Sequence, residues 1–182
     1  MNGFLKVFLI IAVFLTHPAV LSAITEHLVD ITETPVTYGQ SNSCINKTFG
    51  VTFICNPEWE IKTHNNSIIV TISNSPDVTF IIEKLPSRLG FLSQLNKYIL
   101  EKMHRYAKGF DTEHLRMANR ETLKVKAFAK NNTEIRLSEY YLIDHLNLYR
   151  LRFAVPKKNW AEYKFMIKRI TDSFDFSHEG VL

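Results

Sequence analysis

Glycine and cysteine are scarce in this 182-residue chain, with six and two copies. Six glycines, one of them Gly3, leave little from which to build a phosphate-cradling loop. The sequence holds no G-x-S-x-G and no H-E-x-x-H, so the common nucleophile and zinc-hydrolase signatures are missing. Beyond the N-terminal stretch there is no apolar run long enough to span a bilayer. Internal repeats and low-complexity tracts are also missing. The resulting expectation is a protein that is not an enzyme and that uses no cofactor.

What is there begins with an address. Met1–Lys6 carries one positive charge, Val7–Leu15 is unbroken and apolar, Thr16-His17-Pro18 interrupts it, and Leu21-Ser22-Ala23 ends in a small residue. That is the layout of a secretory signal peptide over residues 1–23. An uncleaved membrane anchor is the alternative, since no charge occurs from Val7 to Thr25. His17 and Pro18 inside that stretch favour the signal, and no Cys follows it to accept a lipid. The expected location is secreted or periplasmic, with no transmembrane segment once the signal is removed.

Removal of residues 1–23 leaves 159, enough for one domain with a proper core. Thirteen Phe, seven Tyr and two Trp suit an aromatic-rich interior. Charge is unevenly spread: Ile24–Glu83 sums to −5, Lys84–Lys130 to +7 and Asn131–Leu182 to +1. The basic middle can meet an acidic partner or an anionic surface, or it is simply the solvated face of a helix and one or two strands. Nucleic acid is not an expected partner of an exported chain of this charge.

Cys44 and Cys55 lie 11 apart. In an exported chain they are a disulfide candidate, and two separate buried thiols are the competing reading. Three N-x-S/T triplets, at Asn46, Asn65 and Asn131, matter only in a host that glycosylates exported proteins.

Residues 24–43 have no steady periodicity and read as an N-terminal arm or linker. Val51–Cys55, Ile68–Ser73 and Val78–Leu85 are β-rich, with breaks at Asn56-Pro57, Asn74–Asp77 and Pro86-Ser87. Leu92, Leu95, Ile99, Met103, Tyr106 and Phe110 then fall on one helix face, and Gly109 suits its C-terminal stop. His114–Ala129 reads as one or two strands. Glu134–Ile143 and Leu146–Val155 read as a hairpin turning at Asp144-His145, with Arg150 and Arg152 on one face. Asn159-Trp160-Ala161-Glu162 has the form of a capping box opening a second amphipathic helix through Phe174. Strands, helix, strands, helix predict an α+β fold, with helices packed on a central antiparallel sheet.

Few residues suggest chemistry. Glu101 and His104 share a helix side, and Asp111 with His114 forms a similar pair in an expected loop. Glu101, His104 and His114 are thus weak metal candidates, because a stable site needs three or four ligands; ordinary surface histidines are the alternative. Lys97, Lys102, Arg105 and Lys108 gather on the outer side of the same helix and are the candidate contacts to a protein partner.

Phe49-Gly50-Val51-Thr52-Phe53, followed by Asn56-Pro57-Glu58-Trp59, resembles the opening of PsbP-like domains. Leu148–Phe153 resembles that family's late strand, and Ile170-Thr171-Asp172-Ser173-Phe174 its closing helix. The superfamily includes the photosystem II subunit PsbP, Mog-type Ran-binding proteins and exported bacterial proteins of unknown role. The resemblance spans residues 44–176 and leaves 177–182 as a tail. It implies a PsbP-like α/β/α sandwich in which Pro57 and Trp59 end a strand and cap the core while Ser173 and Phe174 anchor the last helix. These are structural residues, so the resemblance carries fold rather than activity. Cys55-Asn56 departs from the aromatic usual before the proline, and neither a photosystem nor a Ran-binding role is inherited. The expected function is an exported accessory or binding protein that docks to an envelope or secreted protein. The alternatives are a small-ligand or metal carrier with a pocket between sheet and helix, a hydrolase whose site assembles only in three dimensions, and a host-directed effector.

Overall fold

Period-two patterning dominates the chain, and it resolves into two antiparallel sheets. The computed structural model describes residues 37–38, 43–72, 78–85 and 92–177. The expected signal over 1–23, most of the arm, the breaks at 74–77 and 86–87, and the tail beyond Ser177 lie outside the described residues.

A four-stranded sheet has the order β1-β2-β3-β11, formed by β1 (Thr37–Tyr38), β2 (Ser43–Asn46), β3 (Val51–Ile54) and β11 (Asp175–Phe176). A seven-stranded sheet has the order β4-β5-β6-β10-β9-β8-β7. Its strands are β4 (Glu60–His64), β5 (Ser67–Thr71), β6 (Thr79–Leu85), β7 (Ala107–Met117), β8 (Arg120–Ala129), β9 (Asn132–Asp144) and β10 (Asn147–Pro156). The chain meanders through β4, β5 and β6 and crosses by helix α1 (Leu92–Tyr106) to the far edge. It then returns through β7 to β10, so that β10 closes against β6. Fifteen helical residues reach about 22 Å, comparable with the roughly 19 Å of four strand spacings between β6 and β7. A short 3-10 turn, Lys157–Asn159, then leads into helix α2 (Trp160–Ser173).

Two hydrophobic clusters form. Leu95, Ile99 and Met103 of α1 pack with Leu123, Val125 and Ala127 of β8, Leu137 and Tyr141 of β9, and Leu148 of β10. Tyr163, Ile167 and Ile170 of α2 pack with Val51 and Phe53 of the small sheet and with Phe80, Leu142, Leu151 and Phe153 of the large one. Along β9, Tyr140 and Leu142 join one cluster while Tyr141 joins the other, as alternation across a pleated strand requires. Phe80 and Phe153 stack at 4.6 Å, and Phe53 meets Phe80 edge-on at 5.6 Å. The fold is α+β and dominated by sheet.

Several elements depart from the sequence reading. Thr37–Tyr38 pairs with β2, so sheet structure begins inside the expected arm. β4 went unread because Glu60-Ile61-Lys62-Thr63-His64 is too polar to register; only Thr63 is buried. The first helix ends at Tyr106, and Ala107 already begins β7. Gly109 is therefore not a helix stop. Its φ of +57° lies at the register shift between Lys108 and Asp111, where glycine relieves a bulge in an edge strand. Lys108, Asp111 and His114 accordingly sit on a strand rather than on a helix or in a loop. The capping box does not form: Asn159 is itself helical and its side chain makes no capping bond, because the 3-10 turn already precedes it. The hairpin is present, but its two-residue turn is His145-Leu146: Asp144 still pairs with Asn147 in the ladder, and His145 has φ 53°.

Cys44 and Cys55 are joined by a disulfide, Cα atoms 5.7 Å apart, which ties β2 to the end of β3. Asn46 is buried, accepts from the Phe49 N–H and donates to Thr63 Oγ1 at 3.1 Å. Its amide is thus committed inside the fold, whereas Asn65 and Asn131 are exposed. Ser173 Oγ accepts from the Ile54 N–H at 2.8 Å and donates to the Ile170 carbonyl at 2.9 Å, and Phe174 is buried. Trp59 packs against the adjoining core.

Candidate functional site

Two polar constellations stand out, on side chains that period-two alternation sends in opposite directions. The first lies beside α1. Arg150 and Arg152 of β10 project to one side, with Glu83 of β6 and Glu139 and Tyr141 of β9 next to them in register. Arg152 Nε donates to Glu139 Oε1 at 2.5 Å, and Arg150 Nε donates to Glu83 Oε2 at 2.5 Å. Tyr106, at the end of α1, donates to Glu139 Oε2 at 2.8 Å, and Tyr141 donates to the same oxygen. The Arg152 guanidinium lies 4.7 Å from the centre of the Tyr106 ring.

Glu139 is wholly buried. Burial alone raises a carboxyl's pKa, but Arg152, Arg150 and the two phenol donors outweigh it and hold Glu139 below the ordinary range. Burial, and then the Glu139 charge, push both Tyr141 and Tyr106 up. Two guanidinium groups offset two carboxylates, and among the described residues no buried side-chain nitrogen or oxygen lacks a partner. The cluster is a closed ionic network, suited to fixing α1 on the sheet. Two arginines at alternate positions of an apolar strand, and one glutamate within Ser138-Glu139-Tyr140-Tyr141-Leu142, were the only sequence signals for it.

The second constellation is open. A groove of 690 Å³ runs between α2 and the β7–β9 end of the sheet. Ser138 and Tyr140 of β9 with Lys124 and Lys126 of β8 make its floor. Leu115–Asn119, the end of β7 and its turn, make one wall, and Trp160, Lys164, Phe165, Ile167, Lys168, Thr171 and Asp172 of α2 make the other. Helical spacing of Trp160, Lys164, Lys168 and Thr171 places them along one side of α2. Met117 and Arg120 pair directly across a two-residue turn whose central residues, Ala118 and Asn119, have φ of 50° and 57°.

Among the described residues, five cationic side chains, Arg116, Lys124, Lys126, Lys164 and Lys168, and one carboxylate, Asp172, line this groove. Lys168 Nζ pairs with Asp172 at 2.6 Å, and Lys126 pairs with Glu113 at 3.2 Å. Lys124 lies 5.3 Å from the Tyr140 ring, Lys164 lies 4.9 Å from the Phe165 ring, and Arg136 stacks at 4.5 Å on Trp160. Phe165 is 66 % exposed, an outlying apolar residue on a basic helix. Basic charge, aromatic surface and an open trough equip the groove to hold an anionic, partly apolar segment.

The residues chosen from sequence lie elsewhere. Lys97, Lys102 and Arg105 are exposed on α1, and Lys108 is exposed at the start of β7. Glu101 and His104 are exposed on α1 and His114 on β7, while the His104 ring meets Phe110 edge-on at 5.3 Å. Among the described residues no group of three or more His, Cys, Asp or Glu is placed to hold a metal. The basic middle third is thus divided between α1 and the groove. Sequence reading missed the groove's share, because the α2 lysines that complete it lie outside that third.

No family model matches the chain, and no curated protein matches it. Solved structures do. The solution structure of cyanobacterial PsbP (CyanoP) from Synechocystis sp. PCC 6803 is 12% identical, with a TM-score of 0.53, over 80% of this chain and 98% of that one. LpqN, involved in cell envelope biogenesis of Mycobacterium tuberculosis, is 11% identical with a TM-score of 0.52, over 81% of this chain and 91% of that one. A Bacteroides thetaiotaomicron protein is 11% identical with a TM-score of 0.52, over 79% of this chain and 51% of that one. Likeness at such identities is likeness of fold, and the fold shared with CyanoP is PsbP-like.

Proposed function

We propose that this chain is an exported, non-enzymatic accessory protein, a PsbP-like α/β/α sandwich that docks to an acidic segment of an envelope or secreted protein. The observation that carries the reading is the groove, in which five cations and one carboxylate surround exposed aromatic surface. Such a surface recognises a partner by charge and anchors it by apolar contact. The export address rests on the sequence of residues 1–23 alone. LpqN's involvement in cell envelope biogenesis fits this setting, although the likeness to it is one of fold. The narrower Mog-type assignment rests on sequence motifs alone.

The test is crosslinking of the tagged chain in the cells that produce it, comparing wild type with Lys164→Glu/Lys168→Glu and with Lys102→Glu/Arg105→Glu. Docking through the groove predicts a reproducible envelope or secreted partner that the first pair loses and the second keeps. Loss only with the second pair moves the contact to α1. A folded, exported chain that captures no protein overturns the reading in favour of a small-ligand carrier. Its pocket would then be the groove, and not the surroundings of Glu101, His104 and His114.

A further inference from the structure

We infer that the occupant of the groove is an acidic amphipathic helix of the partner protein, laid beside α2 across β8 and β7. The inference rests on the reading of the groove as a docking site and adds the form and chemistry of what docks there.

The layer over the large sheet is incomplete. Tyr163, Ile167 and Ile170 seat α2 over Phe80 of β6, Leu142 of β9, and Leu151 and Phe153 of β10. The sheet runs on past β9, through β8, to its edge at β7. On β8, Leu123, Val125 and Ala127 are buried with α1, so alternation turns Lys124 and Lys126 to the α2 side. Glu113 of β7 stands opposite Lys124 in register and shares that side. The two lysines are only partly buried and Glu113 is exposed. Among the described residues, α1 covers one face of β8 and no helix or strand packs on the other. From β9 to β7 is two strand spacings, roughly 10 Å, and packed helices lie about 8–10 Å apart. The open strip has the width of one helix. Its wall follows α2 from Trp160 to Asp172, about 18 Å, which is some three helical turns.

Backbone chemistry selects a helix over an extended segment. A sheet face presents side chains and keeps its own N–H and C=O groups in the ladder. An extended segment lying there buries its peptide groups against Leu115, Tyr140 and the lysine stems, which offer few partners. A helix satisfies its peptide groups internally. An extended partner gains more by pairing with the open edge of β7, outside the groove.

Charge fixes the helix's chemistry. Lys164 and Lys168 stand one turn apart on α2, and Lys124 and Lys126 two positions apart on β8, so each pair is roughly 6–7 Å apart at the backbone. Carboxylates at i and i+4 of a helix have about the same spacing. Lys168 already holds Asp172 at 2.6 Å, and Lys126 holds Glu113 at 3.2 Å. Both carboxylates are exposed, so a carboxylate can reach these cations from the solvent side. They are also the chain's own competitors with the partner. Exposed Phe165 and half-buried Leu115 meet an apolar stripe between the partner's carboxylates. A flat anionic lipid surface is a poorer fit, because the Lys124 side chain on the floor is only 21% exposed.

The probe is a fluorescein-labelled peptide of about fourteen residues, with glutamates at i, i+4 spacing beside a leucine stripe and a lactam bridge on its outer side to hold it helical. Its binding to the purified chain is read by fluorescence anisotropy. One control has the same residues reordered so that leucine and glutamate alternate, and a second carries a proline at the centre of the helix. The expected result is saturable binding of the helical peptide, weakened about a hundredfold by the proline. Lys164→Glu/Lys168→Glu should weaken it about tenfold or more, and Lys102→Glu/Arg105→Glu should leave it unchanged. Glu113→Gln/Asp172→Asn should tighten it, because the competing carboxylates are gone. Unchanged circular dichroism in each variant shows that lost binding is not a lost fold. Equal or tighter binding of the alternating peptide overturns the inference in favour of an extended partner. Displacement of the helical peptide by phosphatidylglycerol vesicles as readily as by unlabelled peptide overturns it in favour of a lipid surface. Binding that ignores Lys164→Glu/Lys168→Glu, or no binding of the helical peptide, also overturns it. The cellular crosslinking is a separate measurement: a partner lost with Lys164→Glu/Lys168→Glu, beside a helical peptide that does not bind, refutes the helix and leaves docking through the groove standing.

Discussion

Glu139 and Arg152 sit directly opposite each other in the β9–β10 ladder, joined at 2.5 Å, with the carboxylate wholly removed from solvent. A buried pair of this kind is costly to break from one side, because the surviving charge stays in a low-dielectric site. Glu139→Gln is expected to destabilise the fold by about 3 kcal/mol, which lowers Tm by roughly 6–12 °C. Replacing both members with methionine should cost less than the single change, since it strands no charge. Thermal circular dichroism of the three proteins decides the matter.

The same pair sets a pH dependence. Burial works to raise the Glu139 pKa, but its arginine and tyrosine partners hold it lower in the folded chain than in the unfolded one. Its stabilising contribution is therefore complete above the ordinary glutamate range and is lost as pH falls through the folded value. Urea unfolding should show wild type losing more stability than Glu139→Gln between neutral and strongly acid pH. Equal losses would remove Glu139 as the source.

The Cys44–Cys55 disulfide closes a short loop around the β2–β3 hairpin, and both cysteines are buried. Cys44→Ser/Cys55→Ser should cost about 2–3 kcal/mol, mostly by freeing the unfolded chain. In native protein the bond should resist mild reductant and become reactive in urea. Thiol labelling with and without urea tests this.

Ser173 joins the end of α2 to β3 through the Ile54 N–H, at 2.8 Å. Ser173→Ala leaves that donor without its partner and should cost about 1–2 kcal/mol. Hydrogen exchange should quicken at Ile54 and leave Leu142 unaffected.

Ala118 holds a φ of 50° at the lip of the groove. Asparagine is favoured at the first central position of such a turn, so Ala118→Asn is expected to stabilise by about 0.5–1 kcal/mol. A lowered urea midpoint would show that the alanine's packing outweighs its backbone strain.

Local pattern and tertiary placement divide along these residues. The α+β class, the hairpin at His145, both helices and the Ser173-Phe174 anchor were legible because alternation, helical spacing and turn residues act over a few positions. The ends were not. Tyr106 closes α1 four residues early because the edge strand β7 takes up Ala107, and Asn159 fails as a cap because the preceding turn is already helical. The sequence by itself determined the basic middle third and the aromatic content of the core. Only the tertiary structure decided where that charge acts. Glu139 meets Arg152 through strand register, and Lys124 and Lys126 of β8 meet Lys164 and Lys168 of α2 across one groove. Strand order and helix packing bring such distant positions together, and neither is written in any local spacing.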